Sequence, residues 1–424
     1  MEITSGKSFL DGTIAVPASK SHTIRGVIIA ALAGGESVLH SPLDSFDTRS
    51  AVGAARAFGA RIGTASDRWV IEGVDGSPQV PGDVIDVGNS GTTLYMMMGT
   101  AALVDGWSVL TGDHQIRKRT ASPLISALQP LGAQVFSTRG NGMAPLVIRG
   151  RMTGGMTSVA GVSSQYVSSL LLACPLAFED SEITVTVLNE RPYVHMTLDW
   201  LARQDIHPDI NDSMTRIRIE GGKRYRAFDR RIPADFSSAT FPLCAGILAG
   251  GSVTLTGLEM DDPQGDKEIL HLLRTMGASI HISKRGINVR GGALRGMEID
   301  MNAIPDALPV MAVCACFAEG TTVLHNVPQA RIKETDRIAV MAAELSKLGA
   351  YVKELPDGLI IRGGGLRGGV VHGHGDHRVV MALTVAGFAA DGPVTVDTAE
   401  TADVTYPGFW EAMRSLGGKI EIRE

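Results

Sequence analysis

The segment Val379-Val380-Met381-Ala382-Leu383-Thr384-Val385-Ala386-Gly387-Phe388-Ala389-Ala390 carries no charge and a single hydroxyl. A helix that lies on a surface needs a polar face. This one has none, so it is expected to be buried on all sides. It is far shorter than the roughly 18 residues a membrane span needs, so its cover must be protein. Asp391-Gly392-Pro393 then breaks the helix, and Val394-Thr395-Val396 alternates like a strand. The arrangement implied is helices inside and sheets outside.

The same succession of apolar helix, acidic or glycine turn and short strand recurs upstream. It is read at Gly34-Gly35-Glu36-Ser37-Val38-Leu39, at Val104-Asp105-Gly106-Trp107-Ser108-Val109-Leu110 and at Glu179-Asp180-Ser181-Glu182-Ile183-Thr184-Val185. Two more copies are Gly250-Gly251-Ser252-Val253-Thr254-Leu255 and Glu319-Gly320-Thr321-Thr322-Val323-Leu324. A second signature is an amphipathic helix closing on glycine before a strand. Its copies are Phe58-Gly59-Ala60, Leu131-Gly132-Ala133, Met276-Gly277-Ala278, Leu348-Gly349-Ala350 and Leu416-Gly417-Gly418, with a degenerate copy over Leu201 to Ile210. Six copies about 70 residues apart describe a βαβαββ unit used six times.

The 424 residues suffice for two or three domains. A composition 44% hydrophobic and 20% charged is globular, and a net charge of −6 offers no nucleic-acid footprint. Met1-Glu2-Ile3-Thr4 does not open a signal peptide, so a cytoplasmic protein is expected. Cys174, Cys244, Cys314 and Cys316 lie in apolar segments and read as core thiols.

Charged and hydroxyl residues gather where loops enter helices. Arg331-Ile332-Lys333-Glu334-Thr335-Asp336-Arg337 has five charges in seven residues before a helix-like run, Ile338 to Leu348. Helix N-termini favour anions, and carboxylates among the cations can move protons. Ser19-Lys20-Ser21 with Arg25, Gly88-Asn89-Ser90-Gly91-Thr92-Thr93 and Ser163-Ser164-Gln165 stand at three further helix starts. Arg117-Lys118-Arg119 forms a basic loop, and Asp306 precedes another apolar helix. Each reads equally as an ordinary cap or a solvated surface. His372-Gly373-His374-Gly375-Asp376-His377 lacks the helical spacing that would hold a metal, so none is expected.

Taken together and in this order, these motifs resemble the enolpyruvyl transferases, and within them the EPSP synthases, over essentially the whole chain. The resemblance implies a two-domain inside-out α/β barrel, three βαβαββ units per domain. Residues 1 to 18 would join 234 to 424, and 19 to 233 would form the other domain. It implies transfer of the enolpyruvyl group of phosphoenolpyruvate to the 5-hydroxyl of shikimate-3-phosphate through a tetrahedral intermediate. Asp306, Glu334 and Lys20 would be catalytic. Lys20, Ser21, Arg25, Ser163, Ser164, Gln165, Tyr193, Asp306 and Lys333 would hold shikimate-3-phosphate. Lys20, Asn89, Gly91, Arg119, Gln165, Arg337 and Arg378 would hold phosphoenolpyruvate, with Gly91 leaving room for glyphosate. No cofactor, metal, nucleic acid or membrane is implied, and a monomer is expected. The UDP-N-acetylglucosamine enolpyruvyl transferases usually have Asn after the first-motif Lys and a Cys in the flexible loop. This chain has Ser21 and no Cys from Gly112 to Thr120.

Departures from the family pattern are Val404 at a frequent Lys, Thr120 at a frequent Pro, Glu190 at a frequent Ser and Gln329 at a frequent Asn. Lys20, Arg25 and Arg119 fall in one domain and Lys333, Arg337 and Arg378 in the other. Six cations with few anions among them would repel, so domain closure is expected to need the anionic substrate.

Overall fold

The computed structural model describes residues 1–423. The chain divides into two compact units: Met1–Pro17 with everything from Pro233 onward, and Ala18–Ile232. Each unit has its own hydrophobic core.

Both units mix helices with sheets. There are six four-stranded sheets among the described residues, three in each unit. All share one plan: a parallel edge pair followed by two antiparallel pairings. In one sheet of the Ala18–Ile232 unit, Asp229–Arg231 runs parallel to Glu36–His40, which pairs antiparallel with Arg68–Glu72, and that with Arg61–Thr64. Two sheets of the other unit are completed from the start of the chain. Glu2–Gly6 lies between Val394–Val396 and Lys419–Arg423, antiparallel to both. Leu10–Ala15 runs parallel to Gly251–Thr256.

The helix expected over 379–390 spans His377–Gly387, and every one of its residues is buried. Gly91–Ala102 is likewise buried throughout. Lys20–Leu32, Ser164–Ala173, Phe236–Leu248 and Leu308–Phe317 are almost so. Apolar helices of this kind cannot meet water, and the sheets provide their cover. The remaining α-helices, such as Phe46–Ala57 and Arg337–Lys347, bury one face only.

Five of the second-signature turns have their glycine in the left-handed region, from 90° at Gly349 to 111° at Gly277. That is the conformation a helix needs to stop and turn into a strand. In the degenerate copy Asp205 adopts it instead, with φ 56°, and the strand that follows shrinks to Asp209–Ile210.

Candidate active site

In the unit that begins and ends the chain, one guanidinium organises the charges. Arg337 is the first residue of helix Arg337–Lys347 and is 1% exposed. Its Nε donates to Asp376 Oδ2 at 2.8 Å, and its Nη1 to Asp306 Oδ1 at 2.8 Å. Nη2 reaches Glu334 Oε2 at 2.5 Å and Asp376 Oδ1 at 3.1 Å. Arg378 Nη2 is 3.0 Å from the other oxygen of Asp306, and Lys333 Nζ is 3.9 Å from Oδ1. Asp306 and Asp376 precede two buried helices, so helix N-termini support the carboxylates. Asp376 also accepts from Arg378 N at 2.9 Å and from Thr335 Oγ1 at 3.0 Å.

The ionisation follows from this geometry. Burial alone would lower the pKa of Arg337, but Asp376, Glu334 and Asp306 outweigh it and raise the value. Burial pushes the Asp376 carboxyl up, yet Arg337 brings it below the ordinary carboxylate range. Two carboxylates, Asp306 and Glu334, thus share one arginine.

The loop before Arg378 is braced from behind. His374 Nε2 lies 2.9 Å from Glu344 Oε1, and His372 is hydrogen-bonded to Asp397. Glu344 Oε2 also accepts from His372 N at 2.9 Å. These histidines are tied to carboxylates, and no cluster of three or more His, Cys, Asp or Glu among the described residues is arranged to hold a metal.

In the Ala18–Ile232 unit the expected residues sit at the N-terminal ends of three buried helices. Ser19, Ser90 and Ser163 cap them, accepting from His22 N, Thr93 N and Gln165 N. Gln165 Nε2 donates to Thr92 Oγ1 at 2.9 Å, joining two of these ends. Lys20 Nζ is 3.1 Å from Asp47 Oδ2. Gly91 lies against Arg119: a Cβ built there would stand 2.6 Å from its Nη1. Tyr95 and Tyr166 both donate to the carbonyl of Thr120, at 3.0 and 2.7 Å, fixing the backbone next to Arg119.

Several expected residues are engaged inside the protein. Arg25 is 1% exposed and donates to Thr197 Oγ1, Ser21 O, Tyr193 O and Ser168 Oγ, bracing three helices. Burial lowers its pKa to about 10, with Tyr193 acting the other way, so it stays cationic at neutral pH. Asn89 donates to Asp113 Oδ2 at 2.7 Å and Gln115 Oε1 at 2.5 Å, tying its own loop to the next. Ser164 donates to Glu190, from N at 3.2 Å and Oγ at 2.7 Å. Tyr193 is half-buried in the first turn of Arg191–Ala202.

One expectation is corrected. Four of the six cations stand beside carboxylates: Lys333, Arg337 and Arg378 with Asp306, Glu334 and Asp376, and Lys20 with Asp47. Asp47 is not singled out by the sequence, and Asp376 is placed by it only in the loop His372-Gly373-His374-Gly375-Asp376-His377. The available signals were an acid in the first turn of a helix for Asp47 and an acid just before one for Asp376, and ordinary helix starts share both.

The family model described as EPSP synthase (3-phosphoshikimate 1-carboxyvinyltransferase) matches residues 4–413. The chain belongs to the EPSP synthase family. A 3-phosphoshikimate 1-carboxyvinyltransferase of Ruminiclostridium cellulolyticum is 53% identical over 416 residues, covering 98% of each chain. One from Methanothrix thermoacetophila is 49% identical, covering 99% of each. Among solved structures, an EPSP synthase from Acinetobacter baumannii superposes with a TM-score of 0.83 over the full length of both chains at 27% identity. Membership makes the chain an enzyme of the transferase class, in the shikimate pathway of aromatic biosynthesis. No described helix is long and apolar enough to cross a membrane.

Proposed function

We propose that the chain transfers the enolpyruvyl group of phosphoenolpyruvate to the 5-hydroxyl of shikimate-3-phosphate, releasing phosphate. The observation that carries this reading is the pair Asp306 and Glu334 held on the one buried guanidinium of Arg337. Addition needs two proton movements at neighbouring atoms. In our reading Asp306 takes the proton of the attacking hydroxyl as its oxygen bonds to C2 of the enol. Glu334 gives a proton to C3. In the second step C3 loses a proton to Glu334, the C2–O bond to phosphate breaks, and the enol double bond reforms. A common cation lets either carboxylate change protonation state while the other stays charged.

In the same reading Lys20 lies between the substrates. Ser21, Arg25, Ser163, Ser164, Gln165, Tyr193 and Lys333 hold the sugar phosphate, Arg25 acting through the helices it braces. Asn89, Gly91, Arg119, Gln165, Arg337 and Arg378 serve phosphoenolpyruvate. The helix N-termini at which these residues stand in each unit support the binding of anions. The six sheets of one plan around all-buried helices support the inside-out barrel of six βαβαββ units, three to a domain. The test is phosphate release from the two substrates by the purified protein. Release must require both; none with both present would defeat the proposal.

A further inference from the structure

We propose that Glu190 is a specificity-determining residue of the sugar-phosphate site: an internal anion occupying the donors that a substrate phosphate needs. The inference rests on the reading above, in which Ser163 and Ser164 take the phosphate.

Three observations converge on Glu190. Its Oε2 accepts from both the backbone N and the Oγ of Ser164. Ser164 is the first residue of helix Ser164–Ala173, so the carboxylate sits at the electropositive end where a phosphate would bind. Glu190 is 2% exposed, and its φ of 56° is a left-handed conformation that glutamate seldom adopts. Glu190 also stands at the N-cap position of helix Arg191–Ala202, yet its side chain makes no capping bond there. The carboxylate is turned to Ser164 instead.

The consequence is competition. A hydroxyl has one proton, and while Ser164 gives it to Glu190 it cannot give it to a ligand. A phosphate and a carboxylate brought to the same donors also repel, and burial strengthens the repulsion. Shikimate-3-phosphate therefore binds against a resident anion, and its affinity is set below what the serines alone permit. Phosphoenolpyruvate, assigned to other residues, does not meet this competitor.

The experiment compares KM for both substrates in the wild type, Glu190→Gln, Glu190→Ser and Glu190→Asp. Loss of the charge should lower KM for shikimate-3-phosphate by roughly 10-fold or more in the Gln and Ser variants. Inorganic phosphate should inhibit them at correspondingly lower concentration. Their KM for phosphoenolpyruvate should stay within about 3-fold of wild type. The Asp variant, which keeps the charge, should show no such gain. An unchanged or higher KM for shikimate-3-phosphate in both neutral variants overturns the proposal. A second measurement needs no variant. In a crystal structure of the wild type with shikimate-3-phosphate, the Glu190 carboxylate should have left hydrogen-bond distance of Ser164 Oγ. If it still accepts from Ser164 with the phosphate bound elsewhere, the proposal falls. Failure of the underlying reading is distinct: a wild type that releases no phosphate from the two substrates defeats the function itself.

Discussion

Replacing Gly91 with alanine adds one methyl group at the first residue of helix Gly91–Ala102. The new carbon would stand 2.6 Å from Arg119 Nη1. Carbon and nitrogen settle near 3.5 Å, so the guanidinium must retreat by roughly 0.9 Å. The fold should tolerate this, because the displaced atom is the far end of a flexible side chain. Gly91 has no left-handed backbone, and alanine there shortens the list of unfolded conformations, worth about 0.4–1 kcal/mol in its favour. Function should not tolerate it. A misplacement of about 1 Å in a positioning group can cost on the order of 10²-fold. The expected outcome is a kcat/KM for phosphoenolpyruvate lower by about 10- to 100-fold, a thermal midpoint equal to or above wild type, and weaker inhibition by glyphosate. Steady-state kinetics with each substrate varied in turn, together with a melting curve, reads all three. An unchanged kcat/KM for phosphoenolpyruvate would show that Arg119 does not serve that substrate; a fallen midpoint would show that the contact is structural.

Glu334→Gln should lower turnover by about 10²-fold or more with substrate KM values little changed, since Lys333 and Arg378 remain; a near-normal kcat would remove Glu334 from the chemistry. Asp376→Asn leaves Arg337 a weaker set of acceptors in a buried setting and should cost about 3–5 kcal/mol in urea unfolding; a loss under about 1 kcal/mol would mean the pair contributes little. Because the folded pKa of Asp376 is depressed, its contribution is fully present above the unfolded value of about 3.9 and is lost as pH falls through the lower folded one. Between pH 5 and pH 2 the wild type should therefore lose more stability than Asp376→Asn, and parallel losses would contradict the coupling. Burial holds the thiols of Cys174 and Cys316 up at about 12. Thiol reagents at neutral pH should label neither until denaturant is added; prompt labelling of the native protein would contradict this burial.

The six buried helices were legible because an apolar helix without a polar face has only one place to go. The second-signature turns were legible through their glycines, and the one blurred copy is where Asp205 replaces glycine. Site residues adjacent in sequence, such as Lys333, Glu334 and Arg337, could be grouped by eye. The pairs Arg337–Asp376 and Lys20–Asp47 could not, because topology rather than spacing brings them together. Arg25 shows a different limit. It lies in the second turn of Lys20–Leu32, a helix whose residues are buried from His22 onward, and spacing alone does not show which acceptors it meets. Beyond the first turn such a helix gives every side chain to the core, and the guanidinium finds its acceptors there.

The first strands of the chain bear on how the protein is made. The Ala18–Ile232 unit is one continuous stretch, so it can finish folding while the ribosome is still producing the rest. The other unit cannot. Glu2–Gly6 must wait, unpaired, until Lys419–Arg423 has been synthesised, because it bridges that strand and Val394–Val396. Closing so large a loop is slow, and for that interval an unpaired strand edge stands open to other nascent chains. A circular permutant that moves residues 1–17 to the far end would place these partners within a few residues of one another. It should refold faster and with less aggregate than the natural order, which refolding yield against protein concentration would reveal.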